Sequence, residues 1–158
     1  MGLSFVILGT VFYAHKLFVK PINKEEMIAR VMNYPIPDVI QRCKKDHGYS
    51  DEDMQILEKE LKRYLVMSEV LEDNKSGTGM YSEDVDNLWH SFILFTKDYA
   101  AFCDTCFGKF IHHVPGTGLM TVKDFQAFVK NYANVFGEEV HAVWFLDSIA
   151  DDVPEKVA

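Results

Sequence analysis

Apolar residues recur along this chain at helical spacing, and capping residues or chain breakers separate the resulting segments. Pro21 follows the first apolar run, and Asn23 stands three residues before Glu26 in the pattern of a helix cap. No segment alternates apolar and polar residues in the manner of a strand. The pattern therefore predicts an all-α fold, a single bundle of about six or seven helices that includes an N-terminal apolar helix.

The other helix boundaries are predicted from caps, prolines and glycines. Helices are expected from Pro37 to His47, after the caps Ser50, Ser82, Thr96 and Thr121, and across residues 138–150. The expected ends lie at Gly48, Gly108 and Gly137. Most of the chain is thus assigned to helix from local signals alone.

Residues 2–19 are apolar except for an interruption at His15 and Lys16. As a helix they would be about 27 Å long, close to the roughly 30 Å of a bilayer core. Lys16, Lys20 and Lys24 lie on the C-terminal side, which places the domain in the cytoplasm by the positive-inside rule. We expect a membrane anchor in residues 1–20 and a single all-α domain in residues 21–158. The alternative is an apolar helix that packs on a soluble cytoplasmic domain.

Charge and cysteine content narrow the classes of partner and compartment. The formal net charge of −8 argues against nucleic acid, because phosphate binding requires a basic face. The three cysteines cannot all pair in disulfides, and this number fits a reducing compartment better than secretion.

Residues 84–115, which we call the aromatic hairpin, combine many aromatic side chains with metal-ligand types. Asp86 and His90 are four residues apart, so they share a helix face, where the carboxylate can orient the imidazole. The candidate zinc ligands are His90, Cys103 and His112, with Cys106 or His113 as a fourth. The competing interpretation is that the cysteines pack as small apolar side chains and that Asp86 only satisfies a half-buried histidine.

The hairpin resembles the glycine-rich-domain-containing-protein-like family. The matching residues are Asp86, Trp89, His90, Tyr99, Cys103, Phe107, Gly108 and His112. The family's second histidine, two residues after the first, is Phe92 here. If that histidine is a ligand in relatives, its loss weakens a metal site in this chain. The resemblance implies a fold more than an activity.

The sequence contains no recognised catalytic motif. We therefore expect a small, non-catalytic, membrane-associated helical protein that binds a protein partner or belongs to an assembly, with no cofactor. The alternative is a zinc-binding protein or metal-dependent enzyme that uses the His90, Cys103 and His112 cluster.

Overall fold

Helices make up all the regular structure in the described part of the chain. The structure is a computed structural model, and it describes residues 22–71, 77–114 and 121–145. The α-helices in these ranges are α1 (Lys24–Asn33), α2 (Pro37–His47), α3 (Asp51–Val70), α4 (Glu83–Leu94), α5 (Thr96–Phe107) and α6 (Val122–Phe136). One 3-10 turn, Ala142–Trp144, follows α6. The predicted all-α fold is confirmed.

Local sequence decides where most of these helices begin and end. A capping side chain accepts a hydrogen bond from a first-turn backbone N–H at Asn23, Ser50, Ser82 and Thr121, as predicted. Glycines in the left-handed conformation follow α2, α5 and α6 at Gly48, Gly108 and Gly137. These signals act within one turn of the chain, which is why they can be read without knowledge of the fold.

Two predicted boundaries are wrong. Thr96 is the first residue of α5, and Phe95 takes the cap position without a side-chain hydrogen bond. Phe95 also ends α4, so the two helices meet with no room for a separate capping residue. Within residues 138–145 the predicted helix is absent and only Ala142–Trp144 form a short 3-10 turn, because the Trp144 side chain is buried in the core. The rest of that predicted helix, 146–150, lies outside the described residues.

The predicted N-terminal helix, residues 2–19, also lies outside the described residues. Among the helices that the structure does describe, none is both long enough and apolar enough to cross a membrane. The membrane anchor in residues 1–20 therefore stays a prediction.

Helix α3 is at the centre of the fold and packs against α1, α2, α4 and α6. Its middle section is buried on nearly every side, including the polar residues Glu60, Lys62 and Arg63. Buried polar groups require hydrogen-bond partners inside the protein. Helix α4 packs against α2, α3 and α5, so the aromatic hairpin lies directly on this central helix.

Candidate metal centre on the aromatic hairpin

Asp86 and His90 lie one turn apart on α4, on the side of the helix that faces solvent. The Asp86 side chain is partly exposed, and 54% of the His90 side chain is exposed. The distance from Asp86 Oδ2 to His90 Nδ1 is 3.7 Å. The spacing of four residues thus brings a carboxylate and an imidazole together, as expected for neighbours on a helix.

His113 reaches the same place from the segment that follows α5. The Trp89 indole N–H donates to the Tyr99 hydroxyl oxygen at 3.0 Å, and that hydroxyl donates to the Ile111 carbonyl at 2.7 Å. Burial raises the pKa of Tyr99, so its hydroxyl remains a proton donor at neutral pH. The two bonds fix the backbone at Ile111, two residues before His113. Gly108, in the left-handed conformation, ends α5 and allows the chain to turn back.

The imidazole of His113 contacts three residues of α4, namely Asp86, Trp89 and His90. Its Nε2 is 2.9 Å from Asp86 Oδ1, and its side chain is only 11% exposed. The ring centroid lies 4.3 Å from that of Trp89 in an edge-on arrangement and 4.6 Å from that of His90. One ligand atom each from Asp86, His90 and His113 can be chosen so that all three lie within 4.8 Å of one another.

The three side chains could reach the separations found around a zinc ion after a small adjustment. Zinc binds imidazole nitrogen and carboxylate oxygen at about 2.0–2.2 Å, which places neighbouring tetrahedral ligands about 3.3 Å apart. His113 Nε2 is hydrogen-bonded to Asp86 Oδ1 at 2.9 Å, and His90 Nδ1 lies 3.7 Å from the other carboxylate oxygen, Oδ2. The widest separation, at most 4.8 Å, would need to shorten by about 1.5 Å, which side-chain rotation can supply.

The remaining predicted ligands lie elsewhere. Cys103 and Cys106 are buried in the core, where burial raises the pKa of both thiols, that of Cys106 to about 11. The Cys103 sulfur lies against Tyr99 and the backbone of Ile111. The thiols of Cys103 and Cys106 are therefore protonated at neutral pH, and both cysteines pack as small apolar side chains.

Of the two adjacent histidines, the structure brings His113 and not His112 to His90. His112 is exposed, and its ring packs on Phe110 with centroids 4.9 Å apart. The segment 111–114 has no regular secondary structure, and the two adjacent side chains lie in different surroundings, His113 between Asp86 and Trp89 and His112 on Phe110. Asp86, expected only to orient a ligand, is itself the residue that both imidazoles approach.

A comparison with known protein families matches residues 23–157 to the UCP032817-like family. The chain belongs to that family. The family description names no activity, so membership assigns no function. No curated protein and no solved structure matches the chain.

Phe92, two residues after His90, lies in the core and away from the group of Asp86, His90 and His113. Its side chain is buried, with its ring 5.0 Å from that of Tyr99 and 5.1 Å from that of Phe102. Positions two apart on a helix face nearly opposite directions, so position 92 faces the core while His90 faces solvent. A side chain at position 92 therefore could not serve as a ligand in the group of Asp86, His90 and His113.

A second polar cluster, around Glu60 on α3, was missed by sequence reasoning. The Glu60 side chain accepts a hydrogen bond from the Tyr132 hydroxyl at 2.8 Å and one from the Trp144 indole N–H at 2.7 Å. Arg63 donates to the Tyr132 oxygen at 2.7 Å and to Glu138 at 2.8 Å. Burial raises the pKa of Tyr132, and Arg63 lowers the pKa of Glu138. Every polar group here is paired within the protein, so the cluster joins α3, α6 and the 3-10 turn and offers no open site.

Proposed function

We propose that this protein binds a divalent transition metal, with zinc as the expected ion, through Asp86, His90 and His113. The observation that carries the proposal is the convergence of three ligand atoms within 4.8 Å from two separate segments of the chain. Two imidazoles and one carboxylate form a common ligand set for zinc in proteins. In this proposal Asp86 and His113 are the zinc ligands, together with His90, in place of the predicted ligands Cys103 and His112.

The surroundings of His113 support this proposal. A metal site requires ligands whose rings are already oriented, and neighbouring groups usually provide that orientation. Here the hydrogen bonds from Trp89 to Tyr99 and from Tyr99 to Ile111 position the segment, and the Trp89 ring borders the imidazole. Of the residues that carry the resemblance to the glycine-rich-domain-containing-protein-like family, Asp86, Trp89, His90 and Tyr99 belong to this arrangement, whereas His112 does not and His113 is not among the matching residues.

Metal analysis of the purified protein tests the proposal. We expect stoichiometric zinc in the wild type and in His112→Ala, the matched control, because His112 lies outside the group. His113→Ala and Asp86→Ala should each weaken zinc binding by more than about 100-fold, beyond the 10–100-fold typical of outer-shell partners. Zinc at 100 times its dissociation constant should stabilise the wild type by about 2.7 kcal/mol, seen as a higher melting temperature that a chelator removes.

Comparing His113→Ala with the control His112→Ala shows which histidine binds zinc. Circular dichroism should show that His113→Ala keeps its helices, so that lost binding is not lost folding. A wild type that melts identically with and without chelator, and that takes up no added zinc, would overturn the proposal. Equal losses in His112→Ala and His113→Ala would overturn the assignment of ligands.

A second candidate function is that of a membrane-associated interaction component. It is favoured by apolar side chains left exposed on the hairpin, with Leu94 72% and Val114 78% accessible. Contiguous exposed apolar patches are typical of surfaces that contact a partner or a membrane, and these two side chains are the candidates for such a patch here. This role is compatible with a bound metal and would use residues 2–19 as the anchor.

Cell fractionation tests the membrane part of this candidate. The full chain should sediment with membranes and resist extraction with carbonate, whereas a shortened chain that starts at Asn23 should be soluble and keep its helical circular dichroism. Loss of folding in the shortened chain would instead support an apolar helix packed on the domain. A full chain found only in the soluble fraction would contradict the anchor.

A further inference from the structure

We infer that the metal held by Asp86, His90 and His113 keeps a coordination position open to solvent, and that this position binds a small anionic ligand such as a carboxylate. The inference rests on the proposed function. Zinc sites with three protein ligands complete their coordination with water or substrate, whereas structural sites use four protein ligands. Within the ranges that the structure describes, the convergent group has three members.

The exposure of the two histidine side chains indicates where the open position lies. His113 is 11% exposed and borders Trp89, so it approaches from the protein side. His90 is 54% exposed, so it approaches from the solvent side. A metal between them is therefore at the rim of the hairpin, and the hemisphere away from Trp89 faces water.

The neighbouring ligand-type residues do not fill that position. Cys103 and Cys106 are buried in the core, and the His112 ring lies on Phe110. In the sequence, residues 115–120 contain no histidine, cysteine, aspartate or glutamate, so the segment that carries His113 brings no further ligand as it continues.

The charge of the site selects the class of ligand. One carboxylate and two neutral imidazoles around a divalent ion leave a net charge of about +1, which favours an anion over a neutral or cationic ligand. A carboxylate or another small oxygen-donor or nitrogen-donor anion would satisfy both the metal and this charge.

Cobalt substitution tests the inference with azide as the probe. The full-length protein is loaded with one equivalent of Co²⁺, and its visible absorption is followed as azide is added. We expect a band shift that saturates as for a single site, in the wild type and equally in His112→Ala. No shift in a wild type that holds one equivalent of Co²⁺ would overturn the open position while leaving metal binding intact.

Two further outcomes separate the remaining explanations. A shift seen in His112→Ala alone would show that His112 occupies the position in the wild type, and would overturn the inference. Failure of the wild type to take up Co²⁺ at all would overturn the proposed function, and the inference with it.

Discussion

Replacing Glu60 with alanine is expected to lower the free energy of unfolding by about 3–5 kcal/mol, the range for removing one partner from a buried charged cluster. Glu60 is 1% exposed, and its carboxylate is the acceptor for both Tyr132 and Trp144. Without it, a hydroxyl and an indole N–H are left buried without an acceptor, and Arg63 loses a nearby negative charge. Urea denaturation followed by circular dichroism measures the change.

The matched control removes a carboxylate from the exposed end of the same cluster. Glu138 accepts a hydrogen bond from Arg63, but it lies at the surface, where water replaces a lost partner. Glu138→Ala should therefore destabilise the protein clearly less than Glu60→Ala. Equal effects of the two variants would mean that burial of Glu60 contributes nothing, and would contradict the account of the cluster.

The contacts of the Glu60 cluster, unlike the helix caps, could not be predicted from the sequence. A helix cap such as Ser50 depends on a residue three positions away, and the predicted cap at Ser50 was confirmed. Glu60 lies 72 residues from Tyr132 and 84 from Trp144, so no local spacing reveals those contacts. In the sequence, Glu60 is visible only as a carboxylate beside the apolar stripe of a long helix. This predicts that a buried Glu60 has some distant partner, but not which residue it is. The same distant contact explains why residues 138–145 do not continue as a helix.

In the aromatic hairpin, likewise, one feature could be predicted from local spacing and another could not. The shared face of Asp86 and His90 follows from their spacing of four residues, and it is present in the structure. The choice between His112 and His113 depends on how the segment after α5 is held, which is decided by the hydrogen bond from Tyr99 to Ile111. That bond joins Tyr99 on α5 to a residue 12 positions later in the irregular segment, and neither residue type predicts it from the sequence.

Trp89→Ala is expected to cost about 3–5 kcal/mol of unfolding free energy, because truncation of a buried aromatic side chain loses transfer energy and leaves a cavity. Trp89 is buried, and its ring packs edge-on against Tyr64 at 5.6 Å and against His113 at 4.3 Å. Its indole N–H is also the first donor in the chain of hydrogen bonds through Tyr99. The variant should therefore unfold at lower urea concentration and, while still folded, bind zinc more weakly than the wild type.

Trp89→Phe separates the two contributions of this residue. Phenylalanine keeps most of the apolar ring against Tyr64 and His113 but lacks the N–H that donates to Tyr99. Because Tyr99 still donates to Ile111, we expect a loss of about 0.5–1.5 kcal/mol, the usual net contribution of one hydrogen bond, added to a smaller cavity cost. A change within about 0.5 kcal/mol for Trp89→Ala, as is normal at surface sites, would show that Trp89 does not support the hairpin. In that case the orientation of His113 would have to come from Asp86 alone.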